Sequence, residues 1–197
     1  MTGLISARVP RRTEGMDVAE RLTRALAAGR WPEAEEILGR LAAGGHPSVF
    51  YNLGRVKMEL GKWAEARVWL TRCVAAAPGH AHGWFELGRT ALELADLDTA
   101  GQAFARAMAL DPTDADARVN LARICLRQGQ YAPVREALAP LAGHSAEVDA
   151  LRYRAAAELG LPEAEAERAA LWSRPGGRAE ALKALTRVAK GRLPLDL

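Results

Sequence analysis

Four arginines recur at one position relative to a series of small residues. Arg55, Arg89, Arg123 and Arg154 each stand six residues before a Gly or Ala that follows a helical stretch. A guanidinium group binds a carboxylate or a phosphate through two parallel hydrogen bonds. The series is therefore one that recognition of an acidic ligand would use.

A second interpretation of these arginines needs no ligand. A glutamate follows three of them by four residues, at Glu59, Glu93 and Glu158. Residues i and i+4 are neighbours on a helix, so each pair can form an ion pair worth roughly 0.2–0.5 kcal/mol. The sequence leaves both interpretations open.

The third arginine of the series has a different environment. Arg123 is followed by Arg127 instead of a glutamate, and Asn120 precedes it by about one turn. Charge that is not balanced nearby attracts anions. The sequence therefore predicts an acidic-ligand site around Asn120, Arg123 and Arg127, with Arg89 beside them and no internal carboxylate on either arginine of the pair.

No group of residues in the sequence indicates catalysis. His80 and His82 could share a metal, but no Cys or third His stands nearby, and structural zinc requires four ligands. Cys73 and Cys125 stand among apolar residues and are expected to be small buried side chains. We therefore expect no enzyme activity, no metal and no cofactor.

A repeat of 34 residues positions the arginines. Leu53 and Gly54 align with Leu87 and Gly88 at that spacing. Each repeat contains two apolar stretches at helical spacing, separated by a turn residue. A helix pair of this length cannot bury its apolar face alone, so stacked pairs must supply the core. The turn residues are Gly29, Gly61, Ala95, Gly129 and Gly160.

These patterns predict the organisation of the whole chain. Residues 1–15 are expected to be a disordered basic segment, 16–172 a solenoid, and 173–197 a linker, capping helix and tail. The capping helix is expected to pack through Leu182, Leu185 and Val188. The predicted helical pairs lie near residues 16–43, 48–77, 81–110, 115–142 and 147–171.

The pattern resembles the tetratricopeptide repeat family. "WFELG" at Trp84–Gly88, Ala100 followed by Phe104, and the closing Pro112 match the family's W-x2-L-G, A-x3-F and P positions. The resemblance covers about residues 16–172 and implies an all-α fold. The implied architecture is a right-handed α-solenoid of tetratricopeptide helix-turn-helix repeats with a C-terminal capping helix.

One family position is altered in each central repeat. The place of the family's tyrosine holds Lys57, Ala91 and Cys125. We expect looser aromatic packing there without loss of the fold.

In this family the first helices of successive repeats line a concave groove that binds peptides, and the resemblance implies that the arginines face it. Some members clamp a free carboxylate with Lys, Asn and Arg. Asn52 matches the clamp's Asn, but Glu86 stands where a cation is required, so that function is not expected. The candidate partner-binding residues are Tyr51, Asn52, Arg55, Phe85, Arg89, Val119, Asn120, Arg123, Arg127 and Arg154.

Composition narrows the class of partner. The chain has 197 residues, 49% of them apolar, and a net charge of +3. The surplus positive charge lies at the two ends, whereas residues 16–172 are net negative, which argues against nucleic-acid binding. No apolar stretch is long enough for membrane insertion, and the start lacks the apolar core of a signal peptide. We expect a cytoplasmic protein of bacterial type.

The sequence therefore predicts a non-catalytic interaction scaffold or adaptor. It would bind a peptide or a partner protein in the concave groove. An acidic peptide or protein is one candidate for this partner. Two alternatives remain open: a regulatory module of a larger enzyme or enzyme complex, and a secretion-type chaperone.

Overall fold

The structure, a computed structural model, describes the backbone of residues 11–188 and the side-chain surroundings of residues 18–188. All regular structure in this range is helical, which confirms the all-α prediction. Short 3-10 helices follow α2 at Ala42–Gly44 and α8 at Ala139–Leu141. The α-helices are α1 (Arg11–Ala27), α2 (Trp31–Leu41), α3 (Pro47–Glu59), α4 (Trp63–Ala76), α5 (Ala81–Glu93), α6 (Leu97–Leu110), α7 (Ala115–Arg127), α8 (Tyr131–Leu138), α9 (Ala146–Leu159), α10 (Ala164–Ser173) and α11 (Gly177–Leu185).

The helices pack mainly against their neighbours along the chain. Helix α2 packs on α1 and α3, α3 on α4, and each helix from α6 to α10 on the next one. Helix α9 also contacts α7 and α11. The chain forms two compact units, one ending at Glu86 and the other beginning at Leu87. Contacts between consecutive helices are those expected of stacked repeats.

The turn residues have the backbone conformation that their sequence position predicts. Gly61 and Gly129 have φ of 70° and 71°, in the left-handed region where glycine is unstrained. Ala95 takes the same role with a φ of 58°, at a cost of about 1–2 kcal/mol for its Cβ. Directly after these turns, second helices begin with a half-buried large side chain, as at Trp63 and Tyr131.

Small residues in the first helices allow close packing. A Cβ built on Gly54 would lie 2.6 Å from Leu70 Cγ, and one on Gly88 would lie 2.9 Å from Phe104 Cε1. Leu70 and Phe104 are fully buried. The prediction that these glycines admit a partner helix is consistent with this geometry.

Two predicted boundaries require correction. Helix α1 begins at Arg11, so residues 11–15 are helical rather than disordered, while residues 1–10 lie outside the described part. Arg and Glu are good helix formers, which favours a helix that starts this early. In the capping helix, Leu182 is 49% exposed, and the buried side consists of Ala181, Ala184 and Leu185. The helix ends at Leu185, so Val188 reaches the core from the following turn instead.

The altered tyrosine position is well packed. Lys57, Ala91 and Cys125 are 8%, 0% and 5% exposed, so the expected looseness is not observed. None of the described helices is both long and apolar enough to cross a bilayer.

Candidate functional site

In the first unit, α3 presents one polar and aromatic side to solvent. Phe50 and Leu53 are buried in the core, whereas Tyr51 and Asn52 between them are half-buried and Arg55 is exposed. Phe85, at the equivalent position of α5, is also half-buried. We call Tyr51, Asn52, Arg55 and Phe85 the unit-1 surface.

Arg55 is held by contacts across the repeat. Its Nη1 donates a hydrogen bond to Tyr51 Oη at 3.3 Å, and its Nε lies 3.5 Å from the carboxylate of buried Glu86. The bond with Tyr51 and the charge of Glu86 raise the pKa of Arg55. Glu59, the alternative partner at i+4, acts on Arg55 only through its charge, and the ion pair is formed with Glu86 of the following repeat.

Asn52 has an amide without a partner among the described residues. It is half-buried between buried core residues and Arg55. A side-chain amide has both a hydrogen-bond donor and an acceptor. It can therefore pair with the C=O and the N–H of an extended peptide backbone.

His80 has a structural role beside this surface. Its Nδ1 accepts a hydrogen bond from the backbone N–H of Gly83 at 2.8 Å, and its ring lies 4.9 Å from that of Tyr51. The rings of His80 and His82 lie 6.5 Å apart. Within residues 18–188, no group of three His, Cys, Asp or Glu side chains could hold a metal ion.

In the second unit, α7 carries Val119, Asn120, Arg123 and Arg127. Val119 and Asn120 are half-buried and both arginines are exposed. Together with Arg154 of α9 they form what we call the unit-2 surface. Arg89 is exposed on α5.

The predicted free pair of arginines is wrong for Arg123. Its Nε donates to Glu147 Oε1 at 3.0 Å, its Nη2 bonds the same oxygen, and its Nη1 donates to Asn120 Oδ1 at 3.1 Å. Glu147 lies in the first turn of α9, in the next helix pair, so a search of i+4 positions could not find it. Only Arg127 of the pair has no side-chain partner in the described part of the chain.

The fourth arginine of the series is also different from its expectation. Arg154 is half-buried and does not pair with Glu158, four residues later. Its Nε is buried without a hydrogen-bond partner.

Sequence reasoning missed a charged cavity in the first unit. A space of about 600 Å³ is lined by Glu35, Lys57, Glu65 and Trp69, among others. Lys57 Nζ donates to Glu35 at 2.5 Å and bonds Glu65 as well. Burial by itself lowers the pKa of Lys57, but these two hydrogen bonds outweigh it and raise that pKa. The lysine in the place of the family's tyrosine was the available signal, and its paired charges indicate a structural role.

Comparison with known proteins identifies the fold family. The tetratricopeptide repeat family model matches residues 25–87 and 91–159, which is more than half of the chain. No curated protein sequence matches this chain.

Solved structures share the fold at low sequence identity. MamA is 18% identical with a TM-score of 0.67, and the match covers 92% of this chain and 97% of MamA. The first TPR of Spaghetti (RPAP3) bound to an HSP90 peptide is 19% identical with a TM-score of 0.55, over 58% of this chain and 92% of that one. The Yersinia enterocolitica type III secretion chaperone SycD, in complex with a peptide of the translocator YopD, is 14% identical with a TM-score of 0.54. The match covers 59% of this chain and 95% of SycD. From the family match and this shared architecture, the chain belongs to the tetratricopeptide repeat family.

Proposed function

We propose that this protein is a non-catalytic interaction scaffold that binds a peptide or a partner protein through the first-helix surfaces of its repeats. The observation that carries the proposal is Asn52, a half-buried amide that has no partner within residues 18–188 and stands beside the half-buried ring of Tyr51. Aromatic side chains supply much of the affinity of protein interfaces, and the amide supplies hydrogen bonds to a backbone.

The repeat register supports the same proposal in the second unit. Val119 and Asn120 occupy the positions that Tyr51 and Asn52 occupy in the first, at twice the 34-residue spacing. The buried residues beside each amide fill the core, and the Asn120 amide also accepts a hydrogen bond from Arg123. Two of the similar structures, RPAP3 and SycD, contain bound peptides by their names.

The proposal is tested by selecting peptides from a random library on the intact protein. The affinity of a selected peptide is then measured by fluorescence anisotropy for Asn52→Ala and Tyr51→Ala. Because interface anchors carry most of the binding energy, we expect about tenfold weaker binding for these variants.

The matched control is Thr71→Ala, an exposed position on α4 away from the first helices. This variant should keep the affinity of the unmodified protein. Thermal unfolding of all three variants separates lost binding from lost folding, and Asn52→Ala should melt normally because its amide has no internal partner. A library that yields no binder, or binders that tolerate both first-helix variants, would overturn the proposal.

A further inference from the structure

A half-buried arginine without a partner marks a site that repeat packing does not explain. We propose that Arg154, with Arg187 beside it, binds a carboxylate side chain of an acidic partner peptide. The proposal rests on the partner-binding function above and names the chemistry of one part of the unit-2 surface.

Arg154 differs from the other half-buried arginines of residues 18–188. Each of those donates to a carboxylate or to backbone carbonyls, whereas Arg154 makes no hydrogen bond or ion pair with any described residue, and its Nε is buried. A buried N–H donor without an acceptor costs free energy, which an incoming anion that accepts from Nε would recover. The partnered arginines are Arg118, Arg135, Arg152, Arg168 and Arg174.

A small cavity lies at this arginine. It has a volume of about 80 Å³ and is lined by Leu151 and Arg154 of α9, by Lys183 and Ala184 of α11, and by Arg187 just beyond. Since one water occupies about 30 Å³ of liquid, the space holds the equivalent of two or three waters. A carboxylate group fits such a space.

The charges around the cavity leave a positive surplus. Two acids also line it, but Glu147 is paired with Arg123, and Glu180 with Lys183 at 2.7 Å. Arg187 is exposed and has no side-chain partner among the described residues. After these pairs are formed, Arg154 and Arg187 remain uncompensated and attract an anion.

The position of the cavity favours a peptide as the source of that anion. Glu147 both lines the cavity and bonds Arg123, so the cavity continues the unit-2 surface on α7. Half-buried Leu151 gives the methylene stem of an acidic side chain an apolar contact.

The test uses the intact protein and a fluorescein-labelled oligoglutamate peptide as the probe. Its affinity is measured by fluorescence anisotropy for Arg154→Gln and Arg187→Gln, with Arg106→Gln as the matched control, because Arg106 is exposed on α6 of the same unit. A hydrogen bond between charged groups typically changes affinity by about tenfold or more, so Arg154→Gln should bind at least about tenfold more weakly. The control should bind normally, and added salt should weaken binding.

Two further measurements keep the proposal falsifiable. Arg154→Gln should not lower the melting temperature, because the guanidinium has no partner among the described residues, whereas a structural arginine would lower it. Arg154→Lys keeps the charge but loses the planar guanidinium group. Its affinity for the peptide should lie between those of the unmodified protein and Arg154→Gln. The proposal is overturned if oligoglutamate fails to bind, if Arg106→Gln weakens it equally, or if inorganic phosphate binds Arg154 in its place. Peptides selected for the Asn52 position would still bind in each of these cases, so the scaffold function would stand.

Discussion

At the scale of single residues, glycine in the first helices has a packing role. Gly88 faces Phe104, whose ring is fully buried, and no side chain fits between them without movement. Gly39, in the last turn of α2, has open space around its Cβ position. Both glycines are helical, and their surroundings are opposite.

We predict that Gly88→Leu destabilises the protein by about 1–3 kcal/mol, because the added side chain overpacks the core against Phe104. Gly39→Ala should instead stabilise it by about 0.5–1 kcal/mol, because alanine loses less backbone entropy in a helix. Urea unfolding followed by circular dichroism measures both changes. A Gly88→Leu protein as stable as the original would show that the repeat register is misassigned.

At the scale of elements, the start of α11 is fixed by a short polar link. Arg174 Nη1 donates to Asp149 Oδ2 at 2.6 Å and to the carbonyl of Gly143 at 3.1 Å. Asp149 in turn accepts from the backbone N–H of Gly143 at 2.8 Å. The link ties the end of α10 to the turn before α9, and α11 then covers the core through Ala181 and Leu185.

We predict that Gly177→Ala displaces this capping helix. A Cβ there would lie 2.0 Å from the carbonyl oxygen of Leu171, so the first turn of α11 must shift. Amide hydrogen exchange in Gly177–Leu185 should accelerate, and stability should fall by about 1–3 kcal/mol.

The control for the capping helix is Gly101→Ala on α6. Its Cβ would make an ordinary contact of 3.5 Å with Ile124 Cγ2, so exchange in α11 should not change. Unaltered exchange in the Gly177→Ala variant would mean that α11 adapts without cost.

At the scale of the whole molecule, the architecture predicts local rather than global responses to damage. In stacked repeats each element contacts mainly its neighbours, and stability is close to a sum of local terms. Leu38 and Leu171 are both 1% exposed, one in each compact unit.

We predict that Leu38→Ala lowers the free energy of unfolding by about 2–5 kcal/mol. It should accelerate amide exchange mainly in α1–α4. Leu171→Ala should affect mainly α9–α11. Native-state hydrogen exchange with mass spectrometry distinguishes the two patterns. Equal acceleration throughout the described chain in both variants would indicate one cooperative unit and contradict the prediction.

The sequence by itself determined the helices, their order and their register. Turn glycines, the Gly88 and Phe104 pair, and aromatic or leucine starts of the second helices repeat at 34 residues, and each acts over a few residues or one helix pair. Such short-range constraints are visible in a linear pattern. The sequence also placed an acid at Glu86, which the structure buries against Arg55.

Only the tertiary structure decided which arginines are available to a ligand. The repeat pattern placed the four arginines at one equivalent position, and the missing glutamate at i+4 singled out Arg123. The structure instead pairs Arg123 with Glu147 of the next helix pair and places Glu86 beside Arg55. Arg154 has no hydrogen-bond or ion-pair partner within residues 18–188, although a glutamate follows at i+4. Long side chains choose partners by distance across packed helices, and that distance is set by packing between elements that are far apart in the sequence.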